Sequence, residues 1–252
     1  MMAGFDLSGK RAFVTGANTG IGQGIAIALA EAGADIVAVG RSAMKETCAR
    51  VERLGRNCSE IIVDLSDMRA AVAALEDAWN SGGPIDILVN NAGMIRRADA
   101  IDFTEEDWDA VIDLNLKTAF FLCQAFARRA LAAEREGRIV NIASLLSFQG
   151  GIRIPSYTAS KSGLAGLTRL LACEWAAKSI NVNAIAPGYI ETNNTEALRN
   201  DEKRRTEILG RIPAGRWGQP GDIGGAAVFL ASEAATYVHG VVLPVDGGWL
   251  AR

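Results

Sequence analysis

The sequence predicts an α/β protein built on one doubly wound sheet of about seven parallel strands, with helices on both faces. Three observations predict it. Short apolar runs alternate with longer amphipathic segments along the 252 residues, the pattern of repeated strand–helix units. Several runs are nearly continuous in apolar residues, as strands buried on both faces must be. A glycine-rich turn joins the first run to the first amphipathic segment.

In chain order, Arg11–Thr15 reads as the first strand and Gly22–Ala32 as the helix after it. Asp35–Val39 and Ala43–Leu54 form the next unit, and Ser59–Val63 with Asp67–Trp79 the third. Ile85–Asn90 is the fourth strand, followed by one long helix over Glu105–Ala132. Arg138–Ile142 precedes a helix over Tyr157–Lys178, and Asn181–Ile185 is the sixth strand. The polar stretch 190–210 follows it, rich in Asn, Glu, Arg and Thr. Ligand crevices open beyond strand ends in such sheets, so this stretch is expected to be a mobile substrate lid, the alternative being a solvated helical insertion. Asp222–Ala231 and Val241–Val245 close the chain. No repeat, low-complexity tract or linker interrupts the pattern, so residues 1–252 are expected to form a single domain.

Composition excludes several function classes. A net charge of -3 without a polybasic run argues against nucleic acid and anionic membrane partners. The longest apolar stretches are strand-sized or broken by polar residues, so no membrane span is expected. Met1 to Gly9 lacks a basic segment followed by an apolar one, so no signal peptide is expected. Cys48, Cys58, Cys123 and Cys173 are scattered without CxxC spacing. That fits a reducing cytoplasm and argues against a disulfide framework or a zinc site. His239 is the only histidine, and neither HExxH nor GxSxG occurs. No metal is expected, and acid–base chemistry falls to Tyr, Lys, Asp or Glu.

The turn runs Thr15, Gly16, Ala17, Asn18, Thr19, Gly20, Ile21, Gly22. Residues without a β-carbon let backbone approach a pyrophosphate, and the following helix start offers N–H groups to it. The spacing is Gly-x3-Gly-x-Gly, not the Gly-x-Gly-x2-Gly of the common dinucleotide fingerprint. Asp64 and Leu65 end the third strand, where a carboxylate can accept an adenine amino group or cap a helix. Asn90, Asn91, Ala92 and Gly93 end the fourth. Asn90 can pin neighbouring loops, and Gly93 lets backbone approach a cofactor.

Tyr157 and Lys161 stand at i and i+4, one turn apart on one helix face. Ser144 follows the fifth strand. Taken with the turn at Gly16–Gly22, Asn90–Gly93, Asn115 and Pro187-Gly188, this ordered set resembles the short-chain dehydrogenase/reductase family over essentially the whole chain. The resemblance implies a Rossmann-type domain, typically assembled as a homotetramer, that moves a hydride to or from a nicotinamide cofactor. It implies Tyr157 as general acid/base and Lys161 as the residue that holds the nicotinamide ribose and depresses the tyrosine pKa. It implies Ser144 as donor to the reacting oxygen, and Asn115 as the residue shaping a helix and a water path to Lys161. Pro187, Gly188, Ile190 and Thr192 resemble the loop that grips the nicotinamide end. A free tyrosine titrates near 10, so work near neutrality needs about 4 kcal/mol. One charge at about 4 Å in an effective dielectric near 20 supplies roughly that.

Gly40 and Arg41 stand where an acidic residue would select NAD through a ribose hydroxyl. Arg41 can take a 2′-phosphate, which argues for NADP, while resemblance to one subgroup of the family favours NAD. That subgroup acts on sugar acids of pectin and uronate breakdown. The segments that carry the likeness are 95–97, 147–153, 189–195, 211–217 and 245–252. A sugar acid needs a cation for its carboxylate, and Arg96 and Arg153 are the candidates. Gln149 and Asn193 or Asn194 are candidates for its hydroxyls. Each arginine could instead form ion pairs or subunit contacts. The C-terminal Trp249 and Arg252 could reach a neighbouring subunit's site. Rival readings are oxidation of gluconate, reduction of 3-oxoacyl carrier protein, or a dinucleotide-binding regulator without activity. An acyl carrier protein is acidic and needs a basic cleft mouth, for which Arg128-Arg129 is the adjacent candidate in a mildly acidic chain. A regulator would be free to lose Tyr157, Lys161 or Ser144, and all three are present.

Overall fold

The computed structural model describes residues 3–252; Met1 and Met2, part of the stretch read for a leader, lie outside the described residues. Its seven strands are β1 (Arg11–Thr15), β2 (Asp35–Gly40), β3 (Cys58–Ile62), β4 (Ile87–Asn90), β5 (Gly137–Ile142), β6 (Ile180–Pro187) and β7 (Val242–Val245). They form one sheet in the order β3-β2-β1-β4-β5-β6-β7, with every pairing parallel. Every residue of β4, β5 and β6 is buried, as helices on both faces require.

The helices are α1 (Gly20–Glu31), α2 (Lys45–Arg53), α3 (Met68–Gly82), α4 (Glu105–Ile112), α5 (Ala119–Ala132), α6 (Pro155–Trp175), α7 (Glu196–Asn200), α8 (Glu202–Leu209) and α9 (Pro220–Ala231). On one face Ile25 and Leu29 of α1 pack with Val51 of α2 and Ile223 and Leu230 of α9. On the other, Leu75 of α3, Phe126 of α5 and Leu171 of α6 cover Phe13, Leu88 and Ile139.

The elements depart from expectation where side chains compete with the backbone. Asp67 does not begin α3 but caps it, accepting the N–H groups of Arg69 and Ala70 at 2.9 and 3.1 Å. Pro155 opens α6 two residues before Tyr157, in the first turn where proline costs nothing. The long helix expected over Glu105–Ala132 is continuous but widens into a π-helical turn at Asp113–Thr118, which holds Asn115. That helix, 28 residues long, has the length and apolarity of a membrane span. Here one side of it, with Leu122, Cys123 and Phe126, lies in the core.

A buried polar chain runs through that core. The Asn90 amide donates to Asn141 Oδ1 at 2.9 Å, the Asn141 amide to Thr168 Oγ1 at 3.0 Å, and the Thr168 hydroxyl to the Leu164 carbonyl at 2.8 Å. Asn90 therefore ties β4 to β5, not to a loop, and Thr168 fixes α6 against β5. Thr168→Val keeps the shape but leaves the Asn141 amide short of an acceptor. It is expected to lower stability by about 1–3 kcal/mol, read as a lower urea midpoint at unchanged slope.

Candidate active site

The strand order reverses between β1 and β4, and there the crossovers leave towards opposite faces. A cleft of about 700 Å³ opens at the carboxyl ends of the strands. Thr15 and Asn91 hold its floor together. The Thr15 hydroxyl donates to the Val89 carbonyl at 3.2 Å and accepts the N–H groups of Asn91 and Ala92, both at 3.0 Å. The Asn91 amide donates to the carbonyls of Thr15 (2.9 Å) and Gly16 (3.2 Å). Loop pinning expected of Asn90 is thus done by its neighbour.

Gly16 adopts a positive φ of 67°, where a β-carbon would also lie 2.7 Å from the Asn91 amide. Gly22 does not line the cleft. A β-carbon there would strike the Gly16 carbonyl, so its role is close packing of helix on turn, not approach to a ligand. Asn18, Thr19, Gly20 and Ile21 line the cleft with Gly16, and α1 starts without a side-chain cap. Uncapped N–H groups at a helix start suit a pyrophosphate, so this end of the cleft fits a dinucleotide. Arg41, Asp64 and Leu65 line the same end. Asp64 caps no helix; it accepts the N–H and hydroxyl of Ser66 at 2.9 and 2.8 Å. Those bonds, and a lesser pull from Arg41, hold its carboxyl below the usual range.

At the other end Ala92, Gly93, Pro187, Gly188, Ile190, Thr192 and Asn193 line the cleft with Ser144, Tyr157 and Lys161. Lys161 is only 4% exposed. Its ammonium donates to the Ile142 carbonyl at the end of β5 at 2.6 Å and lies 5.6 Å from the Tyr157 ring centre. Burial pulls its pKa down to about 8. Burial likewise pushes Tyr157 up, opposed by the Ser144 hydroxyl and then by the positive charge of Arg97. Lys161, expected to depress it, is not among the groups that move the Tyr157 pKa. Asn115 stays outside the cleft lining and clamps the loop after β4. It accepts the Met94 N–H and donates to the Met94 carbonyl, both at 2.9 Å, and reaches Ser160 Oγ at 3.3 Å. The Ser147 hydroxyl donates to the Lys161 carbonyl at 2.7 Å and the Ser162 hydroxyl to the Leu146 carbonyl at 3.0 Å, so the Ser144 loop is stitched to α6.

Two substrate candidates are not brought to the cleft. Gln149 accepts the Trp249 indole N–H at 3.1 Å. Arg153 has a positive φ of 63° and pairs with Asp99 at 3.1 Å on the surface. Arg96 does line the cleft, with its Nε 3.1 Å from Asp107. Arg97, which sequence reasoning passed over, is the arginine whose charge reaches Tyr157, and it donates to the Asn194 carbonyl at 3.1 Å. Adjacent arginines in a loop give no sequence signal of whose charge acts on the tyrosine. Trp249 is 3% exposed and packs within its own chain.

The Lys161 shift has a sign that can be tested. Between about 8 and 10.5 the unfolded chain binds the extra proton, so stability contributed at this site rises with pH across that window. Lys161→Met removes the burial cost and the Ile142 bond together. It is expected to gain about 2 kcal/mol at pH 7 by urea unfolding. That gain should shrink as pH climbs through the window, and turnover should be lost.

Comparisons with known proteins place this arrangement. A family model described as enoyl-(acyl carrier protein) reductase matches residues 16–250. A 2-dehydro-3-deoxy-D-gluconate 5-dehydrogenase of Dickeya dadantii is 58% identical over 98% of both chains. The protein of that name in Escherichia coli K12 is 57% identical over the full length of both. Among solved structures, a proposed 2-deoxy-D-gluconate 3-dehydrogenase of Agrobacterium tumefaciens, crystallised with NADP, is 62% identical. It superposes with a TM-score of 0.95 over 99% of this chain and all of that one.

Proposed function

The chain belongs to the short-chain dehydrogenase/reductase family, and we propose that it interconverts 2-dehydro-3-deoxy-D-gluconate and its 2,5-diketo form. The observation that carries this reading is one cleft lined by Ser144, Tyr157 and Lys161 together with Arg96, with the charge of Arg97 reaching the same tyrosine. Relatives more than half identical over nearly their whole length bear the name of that activity.

A bound nicotinamide cofactor supplies or accepts the hydride. The residues of this chain manage the proton and the geometry. Ser144 donates to the reacting oxygen and fixes its distance from Tyr157. The Tyr157 hydroxyl takes the alcohol proton in oxidation and returns one to the developing alkoxide in reduction. Lys161 holds the ribose and adds its charge when protonated. Asn115 keeps the loop after β4 in place beside Lys161. Arg96 and Arg97 receive the carboxylate, and Asn193 and Asn194 the hydroxyls, while residues 190–210 act as a lid.

Arg41 at the end of β2 is exposed and lines the cleft. No acidic side chain there demands a free 2′-hydroxyl, so we read the site as accepting NADP through Arg41 as well as NAD. The reading also carries the homotetramer and the place in uronate breakdown expected of the resemblance. Trp108 and Leu170 are exposed apolar residues on α4 and α6, suited to contacts between copies.

Purified protein given the deoxy keto acid with either cofactor should show turnover at the reduced-nicotinamide absorbance band, with little on D-gluconate. Silence with both cofactors would remove the substrate assignment. Tyr157→Phe should cost about 10²–10⁴-fold in kcat while cofactor binding, read by fluorescence titration, is retained. Arg41→Ser should lower kcat/KM for NADP by about tenfold or more, one charge-assisted contact being worth about 1.5–3 kcal/mol, and leave NAD nearly unchanged.

A further inference from the structure

The C-terminal turn is built to hold one indole. Asp246 accepts the N–H groups of Gly248 and Leu250, each at 2.9 Å. Gly247 and Gly248 take φ values of 65° and 89°, and β-carbons there would lie 2.9 Å from Ile212 and 3.1 Å from Pro213. The Ala214 N–H donates to the Gly247 carbonyl at 2.9 Å. This turn seats Trp249 in an apolar cluster with Leu145, Ile208, Ile212 and Trp217.

Trp249 touches three segments there. Its N–H donates to Gln149, in the loop that begins at Ser144. Its ring lies 4.7 Å from that of Tyr189, just after β6, and Tyr189 meets Trp217 edge-on at 5.5 Å. The Arg211 guanidinium sits 4.0 Å above the indole. Arg252 adds a bond to the Gly210 carbonyl at 2.8 Å. Residues 190–210 thus begin beside Tyr189 and end at an arginine stacked on the same ring. Their far side reaches the cleft at Thr192, Asn193 and Asn194.

We propose that Trp249 is a positioning residue that fixes the height of the 190–210 segment above Ser144 and Tyr157. It does so by tying both roots of that segment to the Ser144 loop, and Gln149 acts through this tie instead of touching substrate. The assignment rests on the reading of the cleft as the hydride-transfer site. It predicts a larger effect on substrate than on the dinucleotide: Thr192, Asn193 and Asn194 ride on the tied segment, while the glycine turn is held separately by Asn91.

Trp249→Phe keeps an aromatic ring in the cluster but loses the donor, and Gln149→Leu loses the acceptor. Each should raise KM for the keto acid several-fold with kcat within about twofold, and the double variant should do no more than either single one. Trp249→Ala should raise KM more than tenfold while the dissociation constant of the reduced cofactor stays within about twofold. Trypsin offers a readout without substrate: cleavage at Lys203, Arg204 and Arg205 in α8 should quicken in Trp249→Ala. Unchanged KM and unchanged cleavage would overturn the proposal, as would parallel loss of cofactor binding, which marks general unfolding. Faster cleavage without turnover on any sugar acid would uphold the tie and reject the substrate reading instead.

Discussion

Everything at this site depends on the reversal of strand order between β1 and β4. Adjacent parallel strands whose crossovers leave to opposite faces cannot close over their own carboxyl ends, so a crevice remains. That crevice exposes backbone groups of two separate loops, and they hold position only if tied to each other. Thr15 and Asn91 do this across the seam. The glycine turn, the loop carrying Gly93 and the helix start of α1 take their positions from that seam.

Reactive groups stand on the other wall, where burial and hydrogen bonding are in balance. Lys161 is almost wholly buried with the Ile142 carbonyl as its hydrogen-bond acceptor, a costly position for an ammonium. It persists because α6 is fixed elsewhere. Thr168 bonds to Asn141 in the sheet, and Ser147 and Ser162 tie the helix to the loop that carries Ser144. The same burial that weakens Lys161 raises Tyr157, so its proton affinity is trimmed from outside the pair, by Ser144 and Arg97. Positioning is shared among many ordinary hydrogen bonds, and the chemistry is confined to a few groups.

Much of this was legible in the chain. Continuous apolar runs identified buried strands, and β1 begins and ends where its pattern does. The Tyr157–Lys161 spacing was readable because an i, i+4 pair is set by helix geometry alone. Gly16 was readable because a positive φ penalises any side chain. Gly22 was read as a ligand approach, yet its constraint is a carbonyl of its own chain, which spacing cannot reveal. Arg153 and Gln149 illustrate the same limit. Which side chains of that loop turn inward depends on partners, Asp99 and Trp249, distant in sequence.

By itself, then, the sequence determined the order of strands and helices, the parallel sheet and the identity of the groups able to do acid–base chemistry. Those follow from hydrophobic period, backbone sterics and side-chain functional groups, all local properties. Tertiary structure decided which of two neighbouring asparagines pins the turn and which of two neighbouring arginines has its charge reach Tyr157. It also decided that a C-terminal tryptophan folds inward to meet Gln149. Orientation of a side chain is settled by hydrogen bonds and packing across tens to a hundred residues, and no local pattern carries that information.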